Sequence, residues 1–412
     1  MRLSHLSLHN FRNYVRLDVD LPAGPLVIRG GNAQGKTNLL EAIYYLATTR
    51  SHQAQTEQQL ISWLVAEEEM PFARLDGRVL CNDGEHRLEI TLVLGALNSA
   101  KSARLRKTVS LDGRKRRAID YLGALNVVMF RPEDIDLIAQ GPSLRRRYLD
   151  VTLSQIDERY RAALSRYNQV VTQRNALLRQ LQETGGDRDQ LSFWDEALVS
   201  AGSYLVVRRQ QAISHLDELV AEIHPALTGG LERLRLVYVP RVELGRPEGS
   251  PAARQMPLRF DPQFAQALVP PEADLEEVTQ RFHQQLIEQQ SQDLARGVTT
   301  IGPHRDDLCF LVEGVDMTVF GSRGQQRTAA LSLKLAEVVL MTEETDESPV
   351  LLLDDVMSEL DEQRRRYVAD AIREEHQVII TATDLTDFPA KFLDTGTLWH
   401  VEEGRLSVIQ GP

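Results

Sequence analysis

Lys36 and Thr37 close a glycine-rich octapeptide, Gly30-Gly31-Asn32-Ala33-Gln34-Gly35-Lys36-Thr37, that fits the spacing G-x-x-x-x-G-K-[ST]. The spacing has a chemical purpose. Main-chain N–H groups can wrap a polyphosphate only where no Cβ blocks the approach, so the loop needs glycine. The lysine then sets an ammonium on the β- and γ-phosphates, and the threonine hydroxyl becomes a ligand for Mg2+. By chance, the same residues could form a surface turn with a solvated lysine. Their context argues otherwise. Pro25-Leu26-Val27-Ile28-Arg29 reads as a short apolar strand leading in, and the chain from Asn38 to Thr49 reads as a helix whose N-terminal dipole adds to an anion site. ATP is the expected ligand, held from Gly30 to Asn38.

Two distant elements complete a nucleotide machine. Val350-Leu351-Leu352-Leu353 is an apolar strand ending in Asp354-Asp355, the Walker B pattern. Asp354 would hold Mg2+ directly or through water, and Asp355 would orient or deprotonate the attacking water. Apolar strands ending in acids are common, so this element gains its meaning from the P-loop. Asp355 stands where many ABC-type ATPases carry glutamate, and its shorter reach suits slow hydrolysis. Gly321-Ser322-Arg323-Gly324-Gln325 precedes a helix and resembles the ABC signature LSGGQ, with Arg323 replacing the first of its glycines. Ser322 and the Gly324 amide would meet the γ-phosphate of ATP held by a second subunit. The plainer reading is a serine helix cap. Ser358 to Asp361 resembles the D-loop that crosses the same interface.

The elements that must position these residues form an α/β fold. Val15, Leu17, Val19 and Leu21 alternate as in a half-buried strand, and strands continue through residues 71–131. From Leu149 the apolar positions step by four and three, the stripe of a packed helix. Gly185-Gly186 breaks it, and helix resumes from Trp194 to Ile223 before Pro225, as in a helical hairpin. Residues 244–271, rich in Pro and Gly, read as a mobile loop. The predicted architecture is a P-loop ABC/SMC-type ATPase head split between residues 1–135 and 297–412, with a mainly helical lobe, 136–296, inserted.

Composition limits the partners. Cys81 and Cys309 are too few for a disulfide framework and lack metal-site spacing, which fits a reducing cytoplasm. No signal peptide and no run near 18 apolar residues is present, so no membrane partner is expected. The formal net charge of −12 confines any DNA contact to a local basic patch. Residues 100–120 supply one: eight basic residues (Lys101, Arg104, Arg106, Lys107, Arg114, Lys115, Arg116, Arg117) against Asp112 and Asp120. Asp112-Gly113 is a hairpin turn that would project them.

Six blocks in order resemble the RecF family of bacterial recombination-repair ATPases along nearly the whole chain: LSLHNFRNY (Leu6–Tyr14), GGNAQGKTNLLEAIYYLATTRSH (Gly30–His52), FRPEDIDLIAQGPSLRRRYLD (Phe130–Asp150), TTIGPHRDD (Thr299–Asp307), SRGQQRT (Ser322–Thr328) and LLLDDVMSELD (Leu351–Asp361). The resemblance implies an ATP-dependent homodimer that binds gapped or junction DNA. It also implies help in loading recombinase with RecO and RecR, and a weak, DNA-stimulated ATPase. By analogy Arg12 and Asn13 approach the phosphates and Arg50 sits in an arginine-loop-like position, although Arg12 and Arg50 could equally be surface arginines pairing with acids. The chain departs from the pattern at Gln53, where a basic residue is usual, and in residues 380–384, which lack a switch histidine. His304 and Arg305 read as a structural pair rather than catalytic groups. Arg145-Arg146-Arg147 on a helix reads as either a phosphate-binding face or a solvated face, the former slightly favoured. The rival functions are an ABC-transporter ATPase subunit, a structural SMC protein and a P-loop nuclease. Against them stand the GPHRDD block, the short helical hairpin and the absence of room for a nuclease domain.

Overall fold

The computed structural model describes residues 1–65, 68, 70–95, 104–242, 274–372, 377–388, 392–393 and 396–409. The 244–271 loop and Lys101 lie outside the described residues. The chain forms two compact units, Met1–Glu133 with Glu337–Pro412, and Asp134–Ala336.

In the first unit, β1 (Arg2–Phe11), β2 (Tyr14–Asp20), β4 (Phe72–Cys81), β5 (Gly84–Leu94), β6 (Leu105–Leu111) and β7 (Arg114–Arg116) make an antiparallel sheet in the order β2-β1-β4-β5-β6-β7. A second sheet runs β15-β14-β3-β13-β12-β8, from β3 (Leu26–Arg29), β8 (Val127–Phe130), β12 (Val350–Asp354), β13 (Val378–Ala382), β14 (Thr397–Glu402) and β15 (Arg405–Ile409). Its strands are parallel except β15. The two sheets differ in sequence pattern because they differ in burial. Every residue of β8, β12 and β13 is buried, so these strands are nearly unbroken apolar runs, whereas β5 alternates, burying Leu88, Ile90 and Leu92.

Helix α1 (Lys36–Thr48) joins the sheets' core through Leu39, Leu40, Ile43 and Leu46. It comes so close to β4 that a Cβ on Gly77 would lie 2.5 Å from Leu46 Cδ2. Strand β13 lies between β3 and β12, so the P-loop strand and the Walker B strand are not neighbours.

The second unit is mainly helical. Helices α2 (Pro142–Ile156), α3 (Glu158–Thr184), α4 (Gln190–Thr228) and α5 (Leu275–Arg296) accompany a small sheet of β9 (Leu234–Val239), β10 (Asp307–Val312) and β11 (Val315–Asp316). Helices α3 and α4 form the expected hairpin across Gly185, where φ is 70°. The second helix does not stop before Pro225. It continues to Thr228 and ends on Gly229, so Pro225 removes one hydrogen bond without ending the helix.

The unit boundary also falls later than the sequence pattern suggests. Residues 297–336 belong with the second unit, because β10 pairs with β9 along its length, from Asp307 opposite Val239 to Val312 opposite Leu234. Buried ion pairs tie the same stretch down. Arg209 donates to Asp306, to the Pro303 carbonyl, to Tyr160 and to Asp150. Arg145 makes a two-pronged bond to Asp307 at 2.7 and 3.0 Å.

A candidate nucleotide site

Strand β3 ends at Arg29 and the chain turns at once into the loop. Gly30 cannot carry a side chain: a Cβ there would lie 2.6 Å from the Val401 carbonyl on the neighbouring strand. Gly35 caps α1 at φ 116°, and its Cβ would fall 2.6 Å from Asn13 Nδ2. Between them Gln34 is clasped from both sides. Its carbonyl accepts from Asn13 Nδ2 and from the Gly404 amide, both at 3.0 Å, and its side-chain oxygen accepts from the Glu403 amide at 2.8 Å. Asn38 Nδ2 donates to Asn13 Oδ1 at 2.8 Å, and the Tyr14 hydroxyl donates to the Gly35 carbonyl at 2.9 Å. Asn13 and Asn38 are thus braces of the loop. Asn32 and Ala33 occupy its outer turn, Ala33 at φ 63°.

Lys36 is only 7% exposed and curls back over the loop, donating to the carbonyls of Gly30 at 2.6 Å and Gly31 at 3.0 Å. Burial lowers its pKa, while Asp355 and Asp354 act in the opposite sense. Thr37 Oγ1 donates to Asp354 Oδ1 at 2.9 Å. A hydroxyl in contact with a carboxylate is the hard-oxygen pair that Mg2+ takes, so the residues fit that ion. Burial raises the pKa of Asp354, and hydrogen bonds from Thr381 and Thr37 oppose the rise.

Thr381, at the end of the intervening strand β13, is a site residue that the sequence does not announce, since the pattern in residues 380–384 is read only for a histidine. Its hydroxyl donates to Asp354 Oδ1 at 2.8 Å and accepts the Asp355 amide at 3.0 Å. Asp355 itself sits in the left-handed region at φ 52°. Its pKa is raised by burial, with Lys36 the largest opposing influence and the Thr383 amide a smaller one. Ser358 donates to the Asp355 carbonyl at 2.7 Å, and Asp361 caps the following helix, Glu362–Ala371, by accepting from Arg364 N at 2.9 Å.

In the second unit the turn Ser322-Arg323-Gly324 is exposed at the start of a helix, Arg323–Thr345. Ser322 and Gln325 form a reciprocal cap, Ser322 N to Gln325 Oε1 at 3.0 Å and Gln325 N to Ser322 Oγ at 3.2 Å.

Other expected sites are resolved by their partners. Arg12 is engaged within the first unit. It is bound at 2.8 and 2.9 Å to Glu41, a fully buried carboxylate on α1, and donates to the Gln59 carbonyl. Arg50 is exposed. The basic cluster divides. Lys107 turns inward and donates to the Thr49 carbonyl and to Glu57, each at 2.5 Å, with its ammonium 4.8 Å from the Tyr45 ring centre. Arg117 is paired with Asp120. Arg104, Arg106, Arg114, Lys115 and Arg116 are exposed. Strand register puts Lys115, opposite Ser110, on the face of Arg106, and Arg114 and Arg116 on the other. Within the arginine triplet Arg147 is exposed, while the other two are engaged inside the second unit. Arg145 is buried on Asp307, and Arg146 donates to the Asp306 carbonyl at 2.8 Å. His304 accepts from the Tyr167 hydroxyl at 2.7 Å and donates to the Thr299 carbonyl at 3.1 Å, and burial lowers its pKa to about 4. Both of its ring nitrogens are thus engaged within the second unit.

A glycine-clasped P-loop under a buried Walker B strand, one strand removed, defines a P-loop ATPase of the SMC-head kind. A solved SMC head bound to the C-terminal winged-helix domain of ScpA shares this fold, with TM-score 0.51 and 14% identity over 99% of this chain and 97% of that one. The family model for the N-terminal domain of RecF, RecN and SMC proteins matches residues 2–390. A DNA replication and repair protein RecF of Roseiflexus castenholzii is 43% identical over 418 residues, spanning 98% of this chain and 99% of the relative. A solved structure of the recombination mediator RecF with ATP, in the RecFOR pathway, superposes with TM-score 0.81 at 31% identity over 99% of this chain and 97% of that one. The chain belongs to the RecF family of DNA replication and repair proteins, which decides against the transporter reading.

Proposed function

We propose that this protein binds Mg-ATP on Gly30–Thr37 and uses it to join two copies of the chain, which then hold DNA and act with RecO and RecR in recombinase loading. Lys36, now bonded to loop carbonyls, would swing to the β- and γ-phosphates. Thr37 and Asp354 would hold Mg2+, which neutralises developing phosphate charge. Asp355 would handle the attacking water, with slow turnover. The observation carrying this reading is the pairing of a preformed phosphate loop with an exposed Ser322–Gly324 turn. That turn's Arg323 and Gly324 N–H groups and its Ser322 hydroxyl suit a γ-phosphate presented by another copy. The exposed arginines of β6 and β7 support a DNA contact on the first unit. We place its action in the cytoplasm, where the DNA it would hold lies; no helix among the described residues is long and apolar enough to cross a membrane.

Light scattering with and without Mg-ATP tests the reading. The parent chain should double in mass with ATP, and Lys36→Ala should neither bind ATP nor associate. Ser322→Arg should bind ATP normally yet remain monomeric, because its bulk and charge obstruct the partner's phosphate site. If Ser322→Arg associates as well as the parent, the trans role of this turn is wrong.

A further inference from the structure

We infer that Glu232 is a positioning residue for the trans ATP contact, holding the Ser322 turn in shape from behind through Gln325. This rests on the reading of Ser322 and Gly324 as that contact. Glu232 lies on the short link between α4 and β9. Its Oε1 accepts from Gln325 Nε2 at 2.8 Å, and its Oε2 lies 3.5 Å from His224 Nε2. Gln325 in turn accepts the Ser322 amide on its own side-chain oxygen. The one glutamine side chain is therefore held at both ends, by Ser322 on its oxygen and by Glu232 on its nitrogen. Among the described residues, Glu232 is the only side chain from outside this helix that hydrogen-bonds within Ser322–Gln325.

A second connection makes the anchorage rigid. Ser332, further along the same helix, gives its proton to the Thr328 carbonyl at 2.9 Å, so its oxygen must accept from His224 Nδ1, 2.9 Å away. His224 is fully buried in α4. Glu232 and His224 thus grip the helix at two points, Gln325 and Ser332. An acid set beside an anion-binding turn would ordinarily repel phosphate. Here the carboxylate is turned to a side-chain amide and an imidazole, which leaves the Arg323 and Gly324 amides and the Ser322 hydroxyl proton available. Holding donors in place before the phosphate arrives avoids the entropy cost of ordering them on contact.

The test measures ATP binding and association separately. Glu232→Ala should bind fluorescent ATP on the monomer with unchanged affinity and melt within a few degrees of the parent. Its Mg-ATP-driven association should weaken at least about tenfold, since each of two symmetric sites loses a charge-assisted bond. Glu232→Gln keeps a carbonyl that accepts from Gln325 and should stay within about threefold of the parent. Association of Glu232→Ala equal to the parent overturns the inference. So does equal loss in both variants with a lowered melting temperature, which would mark Glu232 as merely structural through His224. Failure of the parent to associate, or normal association of Ser322→Arg, would instead sink the trans reading itself.

Discussion

Thr381 ties Asp354 and Asp355 into one unit rather than two neighbours. One hydroxyl serves both, donating to Asp354 and accepting from the Asp355 amide. Thr381→Val keeps the shape and removes both bonds. The part-buried Asp355 amide then loses its acceptor, which costs about 1 kcal/mol or more, and the melting temperature should fall by a few degrees. Asp354 loses one of the two hydrogen bonds that favour its ionised form, so its already raised pKa should climb further. A Mg2+ titration of ATP turnover should accordingly shift to higher metal concentration, most strongly at low pH. An unchanged titration would mean that Thr381 only supports the backbone. His304 offers a second test at this scale. Burial moves it from 6.5 to about 4, so it stabilises the fold fully above pH 6.5, and that contribution is lost as pH falls toward 4. At about 1.4 kcal/mol per unit the loss approaches roughly 3 kcal/mol. Melting curves of His304→Gln should depend less on pH between 6.5 and 4.5 than those of the parent, and parallel curves would refute the assignment. Local sequence spells such residues poorly. Arg12 and Lys107 look like free cations in the chain, and only the fold reveals that Glu41 and Glu57 have claimed them.

At the scale of elements, strand register decides what the basic run can do. The P-loop, the Walker B strand and the serine cap were legible because each depends on contiguous residues with one spacing. The division of the basic run was not, because it depends on which residues of β6 oppose β7. Arg114 and Arg116 lie opposite Leu111 and Val109, and Lys115 lies opposite Ser110, so the exposed charges straddle an edge strand. The later unit boundary was hidden for the same reason, since the pairing of β10 with β9 spans residues far apart in sequence. A prediction follows for DNA. Neutralising Arg114, Lys115 and Arg116 together should flatten the dependence of duplex affinity on salt, by roughly 0.9 log units per decade for each phosphate that the protein no longer neutralises. Arg117→Ala should leave the slope nearly unchanged, because that guanidinium is committed to Asp120. Lys107→Ala should lower stability rather than the slope. Fluorescence anisotropy across a salt series separates these outcomes, and a slope indifferent to the triple change would leave the edge without a DNA role.

For the whole molecule, if ATP joins two copies as proposed, its hydrolysis should end the association, and Asp355 is where that step can be isolated. Its main-chain amide, not its carboxylate, bonds Thr381, so Asp355→Asn leaves the Walker B turn in place. Thr37 and Asp354 remain to hold Mg2+, and Lys36 keeps its loop. What disappears is a carboxylate able to take a proton from water, and loss of such a group costs about 10²–10⁴ in rate. ATP should therefore bind and drive association as before, while the γ-phosphate, whose contacts distinguish the joined from the separate state, persists. After a single addition of Mg-ATP, scattering from the parent should rise and then decay as nucleotide is consumed. Scattering from Asp355→Asn should rise and stay high, and DNA captured in that period should resist competitor. If the variant falls apart as quickly as the parent, either hydrolysis does not open the dimer or another group handles the water. Direct measurement of phosphate release in the same samples distinguishes the two: intact ATP points to the first, and normal release to the second.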